Sequence, residues 1–221
     1  MMNRIDKTKY NSYNNGFTLV ELIVVLVILA LLAAILIPAL LGFIEKSKDQ
    51  QDIINAKNCM TAVQAELVEL YALNRNIPAD ASIIDGANVI NNANKDVNAS
   101  KTAFVDKVYK TAGIADTERP YLFFFGVGSN KTGSPSTEHD KYTVYYSVYM
   151  AKKNSKPLYF YCDEWTNVNP RKDDKTEIFD KSNVIKDGPY KGKMIQYYLI
   201  SNSSSHQFKN GDFWNWLKSL T

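Results

Sequence analysis

Glu21 asks more of its surroundings than any other residue in the chain. It stands at the head of Leu22 to Leu41, twenty residues without a charge (LIVVLVILALLAAILIPALL). A charged side chain at mid-span in a bilayer costs roughly 2.5–3.5 kcal/mol on insertion scales, and less near the interface. The first turns of a helix lower that cost, because the helix dipole favours an anion there. Tolerance is not purpose, however. In dry surroundings a carboxylate gains strongly from a cationic partner and is penalised without one.

No other cluster suggests catalysis. His139 and His206 lie in polar stretches without a partner pattern, and there is no nucleophile elbow, glycine-rich phosphate loop or zinc spacing. An enzyme is not expected, nor a cofactor. Asp163, Glu164, Asp173, Asp174 and Glu177 gather oxygen ligands of the kind Ca²⁺ takes, but without EF-hand alternation. Arg171, Lys172 and Lys175 interleave with them, so the segment reads as a solvated acidic loop and no metal is expected. Cys59 and Cys162 are far apart in the chain and in no metal spacing. They can form a disulfide in an oxidising space, or be small buried hydrophobes.

The net charge of +3 is concentrated at the start. Arg4, Lys7 and Lys9 against Asp6 place +2 of it in the first sixteen residues, and 23 basic against 22 acidic side chains remain. That balance leaves no basic patch for nucleic acid.

A long helix must position Glu21. Twenty residues at 1.5 Å each cover ~30 Å, one hydrocarbon thickness. The run is too long, and lacks the small-residue cleavage site, for an ordinary secretory signal. Basic residues precede it and none follows until Lys46, which favours a cytoplasmic N-terminus and an exported body. Beyond it Ile53, Ala56, Met60, Val63, Leu67 and Leu70 recur at spacings of three and four, an amphipathic stripe. Lys57, Asn58, Thr61, Gln64, Glu66 and Glu69 form the wet face. The spacing predicts one helix from about Phe17 to Asn74, ended by Pro78; the alternative is two helices broken near Pro38 or Gly42. Pro38 removes one helix hydrogen bond, at the carbonyl of Ala34, and with Gly42 marks a kink or soft point. Thr18 can bond back to a helix carbonyl and needs no function.

Downstream, residues 78–98 read as a polar surface excursion. Ser100 to Ala112 reads as a short helix with Phe104, Val105, Val108 and Tyr109 on one face, ended by Gly113. Strands are expected at Tyr121–Val127, Lys141–Ala151, Pro157–Asp163 and Lys193–Ser201, with a weak one at Thr176–Asp180. An antiparallel sheet of three to five strands laid on the Ile53–Leu70 stripe buries both apolar faces. The fold class is therefore α+β, a long helix packed on an antiparallel sheet. Phe213, Trp216, Leu217 and Leu220 lie at helical spacing in the tail and are expected to pack on the head, with Trp214 a candidate contact.

Gly16-Phe17-Thr18-Leu19-Val20-Glu21, behind a short basic leader and ahead of the apolar run, resembles the cleavage and assembly signature of type IV prepilins and pseudopilins. Pro38 falls where many pilins carry a kinking proline. The resemblance covers about the first 45 residues. It implies a pilin-like fold and four segments: a leader, 1–16; a transmembrane and assembly helix, 17–44; the amphipathic half of that helix, 45–76; and an exported head, 77–221. It implies cleavage between Gly16 and Phe17 by a prepilin peptidase and N-methylation of Phe17. Further partners are an assembly ATPase, a platform membrane protein, other pilin subunits, and membrane lipid before assembly. The cut creates an ammonium on Phe17, and Glu21 of a neighbour can receive it, setting axial register. The location implied is a single-pass cytoplasmic membrane protein that becomes a surface filament. The alternatives are a pseudopilin of type II secretion or DNA uptake, and a single-span binding module that never polymerises.

Overall fold

The structure is a computed structural model that describes residues 16–78, 82–85, 88–90, 103–129, 137–153, 155–170, 179, 183–202, 217 and 219. The chain divides into two compact units, Met1–Lys48 and Asp49–Thr221. Helix α1, Leu19–Ala72, supplies both: its first part is the described body of the first unit, and its remainder is the core helix of the second. It runs through Pro38 and Gly42 as one element. The break weighed for the sequence is absent. The sequence places no run of helix-breaking residues there, and a lone proline removes only one hydrogen bond.

Asn74, not Pro78, terminates α1. It takes the left-handed conformation at φ 50, Arg75 N–H donates to the Leu70 carbonyl at 2.9 Å, and Asn74 N–H donates to that of Tyr71 at 3.0 Å. This is the six-to-one and five-to-two pattern of a Schellman cap, which asparagine tolerates better than most residues.

In the second unit the stripe is buried as its periodicity predicts. Ala56, Cys59, Val63 and Leu67 are inaccessible, with Met60 and Leu70 packed beside them. Helix α2, Ala103–Thr111, adds Phe104, Val105, Val108 and Tyr109 to the same core. Gly113, at φ 72, closes it with a second Schellman cap: Ile114 N–H reaches the Tyr109 carbonyl at 2.9 Å and Gly113 N–H that of Lys110 at 3.1 Å.

Among the described residues the sheet has seven antiparallel strands: β1 Ser82–Asp85, β2 Asn88–Ile90, β3 Leu122–Gly128, β4 Val144–Met150, β5 Leu158–Tyr161, β6 Glu164–Thr166 and β7 Ile195–Asn202. Their order is β2-β1-β7-β3-β4-β5-β6. Strands β3, β4, β5 and β7 fall where the apolar, aromatic runs place them. The hairpins β1–β2 and β5–β6 were not expected. The first lies inside the segment read as a surface excursion, and the second takes Glu164 out of the segment read as a loop. The β5–β6 turn is Cys162-Asp163, both at positive φ (53 and 63), with Tyr161 paired to Glu164. Two central residues at positive φ make the type I′ hairpin turn, normally signalled by glycine or asparagine.

Strands β3 and β4 are buried on both faces. Phe123, Phe125 and Val127 join the α1–α2 core. Leu122 and Phe124 point to a second core with Tyr146, Tyr159, Tyr197, Phe179, Ile185 and Leu217. Tyr146, Phe179 and Tyr197 meet edge to face, with ring centres 5.3–6.2 Å apart. Leu217 packs on the head as expected; Phe213, Trp214, Trp216 and Leu220 lie outside the described residues. Of the weak strand only Phe179 is described, in an isolated bridge to Ile185.

Candidate assembly site

Helix α1 starts on a closed set of local hydrogen bonds. Thr18 precedes the first helical residue, and Glu21 is the third. The Glu21 Oε2 accepts from the Thr18 N–H at 2.8 Å and from the Thr18 hydroxyl at 2.8 Å, while Glu21 N–H points back to the Thr18 Oγ1 at 3.3 Å. This is a capping box, Thr-x-x-Glu, which satisfies two amide donors that a helix start otherwise leaves open. The sequence reading of Thr18 is corrected: its hydroxyl caps the helix and holds Glu21, in place of bonding a helix carbonyl. Among the described residues, Glu21 Oε1 accepts no hydrogen bond.

Behind the cap, twenty large apolar side chains from Phe17 to Ile44 are between 41% and 88% exposed. Burial is worth about 1.5–3 kcal/mol for each such side chain. This surface therefore requires lipid or other helices around it. The helix is long and apolar enough to cross a membrane. Gly16 and Phe17 precede the helix and are exposed. A Cβ at Gly42 would touch nothing within 4 Å, so no local crowding demands glycine there.

The other residues singled out by sequence lie in the second unit. Cys59 and Cys162 are both free. Cys59 is the small buried hydrophobe of the α1 core, and burial pushes its thiol up to about 12. Cys162 occupies the β5–β6 turn, its sulfur near Gly188 and the Tyr161 hydroxyl. Asp163 accepts from the Tyr190 hydroxyl at 2.5 Å, and Glu164 is exposed at the start of β6. Asp173, Asp174 and Glu177 lie outside the described residues, and no group of three or more metal-ligating residues occurs among the described ones. His139 rests edge-on against Tyr71 with its Nδ1 3.2 Å from the Thr143 hydroxyl. His206 is outside the described residues.

Three polar residues matter more to the head than the sequence indicated. Glu66, assigned to the wet face, is buried: Lys107 lies 2.8 Å away and the Thr111 hydroxyl donates at 3.0 Å. Helix α2 reaches over this residue and so converts a solvent position into an interior one. Gln64 clamps backbone, donating to the Tyr142 carbonyl at 2.7 Å and accepting from Val144 N–H at 2.9 Å.

Asp140, in the 3-10 turn His139–Tyr142, is 4% exposed. It accepts from Lys193 Nζ at 2.6 Å, from Thr137 N–H and hydroxyl at 2.6 and 2.9 Å, and from the Tyr145 hydroxyl. Burial alone would raise its carboxyl. The Lys193 ammonium, the Tyr145 hydroxyl and Thr137 together outweigh it and hold the group well below the usual carboxylate range. Gly128 lets the turn come this close. A Cβ there would sit 2.5 Å from that of Asp140 and 2.8 Å from its carbonyl oxygen.

Comparison with known proteins bears on the first unit. Residues 11–37 match the family described as the prokaryotic N-terminal methylation motif. No curated protein and no solved structure matches the chain. The matched segment takes in Gly16, the capping box and the start of the exposed helix. The chain therefore carries the class III leader signal of type IV prepilins on a long apolar N-terminal helix, a combination that supports a pilin- or pseudopilin-like precursor.

Proposed function

We propose that this chain is a structural subunit of a type IV pilus, a major or minor pilin, that polymerises through its N-terminal helix into a surface filament for adhesion, motility or aggregation. In this reading residues 1–16 are removed by a prepilin peptidase and residues 17–44 hold the precursor in the membrane and then form the filament shaft. Residues 45–76 carry the head, and 77–221 complete it outside the cell. An assembly ATPase and a platform protein drive the transfer from lipid to filament.

The observation that carries the proposal is the exposed apolar first part of α1, up to Ile44, with one carboxylate at its start that lies inside the matched methylation motif. Cleavage after Gly16 frees an ammonium on Phe17. The Thr18 bonds occupy one oxygen of Glu21 and fix the carboxylate, which leaves the other for the ammonium of a neighbouring copy. In a shaft of packed helices, a mis-staggered subunit strands that charge. Glu21 then sets register.

The test is to shear cells, pellet released fibres, and map the N-terminus of the chain in them. Expected are fibres containing a chain that starts at methylated Phe17, and at least a tenfold loss of fibres in Glu21→Ala. Wild-type cells whose fibre fraction lacks the chain, while the membrane holds it with its leader intact, would return the reading to a plain single-span anchor.

A further inference from the structure

We infer that the peptide group joining Asp187 and Gly188 is a site of spontaneous aspartyl isomerisation, promoted by the Tyr161 hydroxyl, through which the main chain of this turn converts to isoaspartate. The inference is independent of filament assembly. An aspartate followed by glycine can close a five-membered imide when the next amide nitrogen reaches its carboxyl carbon. The sequence holds two such pairs, Asp85-Gly86 and Asp187-Gly188.

Their surroundings differ. Asp85 is the last residue of β1, paired across the ladder with Asn88. Asp187 and Gly188 are exposed, in the turn that the Ile185 N–H closes by donating to the Lys193 carbonyl at 2.9 Å. Gly188 N–H donates to the Asp187 Oδ1 at 2.8 Å, so the attacking nitrogen rests against the group it attacks. The other end of the same peptide group is also held: the Tyr161 hydroxyl donates to the Asp187 carbonyl at 2.7 Å. A donor on that oxygen stabilises the anion formed when the peptide nitrogen loses its proton, as donors do in an oxyanion hole. The fold requires glycine at 188. Its φ is 90, and a Cβ there would sit 3.2 Å from both the Cys162 Sγ and the Tyr161 Oη. The residue that hinders attack least is therefore kept where attack is best prepared.

The step balances with water as its only co-reactant. The Gly188 nitrogen bonds to the Asp187 Cγ, and its proton leaves with the carboxyl hydroxyl as water. A second water then opens the imide. Breaking the new bond, between the nitrogen and Cγ, restores aspartate. Breaking the bond from the nitrogen to the old main-chain carbonyl carbon leaves the chain running through Cβ and Cγ, one carbon longer. The carbonyl that Tyr161 held becomes a free carboxylate. Composition is unchanged. The lengthened turn leads to Lys193, the cation of Asp140.

The experiment keeps the full chain in detergent and neutral buffer over weeks, folded in one sample and in urea in another. Fragmentation mass spectrometry that distinguishes isoaspartate from aspartate reads residues 85 and 187. Expected in the folded chain is at least fivefold more isoaspartate at 187 than at 85. In urea, where the sequence alone sets the rate, the two should agree within twofold. Tyr161→Phe should slow conversion at 187 at least threefold and leave residue 85 unchanged. Asp187→Asn offers ammonia as the leaving group in place of water, and should reach the same two products faster than wild type. Conversion at 187 no faster than at 85 in the folded chain overturns the inference, as does an equal bias with and without urea. An Asp187→Asn chain that stays asparagine overturns it also. Undiminished conversion in Tyr161→Phe overturns the role given to the hydroxyl.

Discussion

One helix serves two regions that treat polar and apolar groups in opposite ways. Between Phe17 and Ile44 the large apolar side chains are exposed, and the polar group at the start, Glu21, is satisfied by its own neighbour Thr18. Between Asp52 and Leu70 the apolar stripe is inside. There the polar side chains Gln64, Glu66 and Glu69 are satisfied by residues distant in sequence. The first region is thus complete only in its hydrogen bonding and lacks its apolar partners. The second has its polar groups paired and its stripe of Ala56, Cys59, Val63 and Leu67 buried within the head. A segment of the first kind can move between lipid and a bundle of its own kind, because neither environment has to break a long-range polar contact. A segment of the second kind must arrive folded.

The largest effect that separates the regions is apolar truncation. Leu67→Ala removes a fully buried side chain and is expected to destabilise the head by about 2–5 kcal/mol. Leu29→Ala, from the exposed run, should leave head stability unchanged and act only on filament yield. Denaturant unfolding of the two full-length variants in detergent, followed by tryptophan and tyrosine emission, checks the contrast. A Leu29→Ala head that unfolds as early as Leu67→Ala would erase it.

Next comes the charge at Asp140, whose acceptors are all used by groups of the head. Asp140→Asn weakens the Lys193 pairing in a nearly closed site and is expected to cost about 2 kcal/mol, in the range of hydrogen bonds to charged groups. The pH dependence has a defined sign. The folded carboxyl titrates below its unfolded value of about 3.9, so its stabilisation is full above that value and fades as pH falls through the folded one. Unfolding midpoints measured from pH 6 down to pH 2 should fall less steeply for Asp140→Asn than for wild type. Parallel curves would mean that Asp140 adds nothing to acid sensitivity.

These polar anchors were the least legible part of the sequence. Stripe periodicity recovered α1, the face of α2, and strands β3, β4, β5 and β7, because apolar spacing is written locally. Glu66 reads as solvent-facing from its own helix, since the groups that cover it, Lys107 and Thr111, come from α2. Asp140 sits in a polar stretch that nothing local distinguishes, and its cation comes from Lys193. The β5–β6 turn was hidden because Cys162 and Asp163 hold positive φ without a glycine. The β1–β2 hairpin carried a readable signal. Asp85 pairs with Asn88 across a two-residue connection that opens with Gly86, between Ile83-Ile84 and Val89-Ile90. Thr18 was legible too: Thr-x-x-Glu before an apolar run is the capping-box pattern, in which the hydroxyl holds the acid.

The smallest expected effect tests whether the first region's local hydrogen bonding matters to its partners. Thr18→Val keeps the side chain's shape and loses the hydroxyl, leaving the backbone N–H of residue 18 as the remaining local donor to Glu21. Loss of a helix N-cap costs about 1 kcal/mol, close to a fivefold change in an equilibrium. Thr18→Ser keeps the hydroxyl and should behave as wild type. If the capping box fixes the carboxylate for an incoming ammonium, fibre yield should fall several-fold in Thr18→Val and not in Thr18→Ser. Head stability should be equal in both, because the cap belongs to the unit that the head does not include. Equal fibre yields would show that Glu21 finds its partner without being held. A loss of head stability in Thr18→Val would break the separation of the two regions on which the comparison rests.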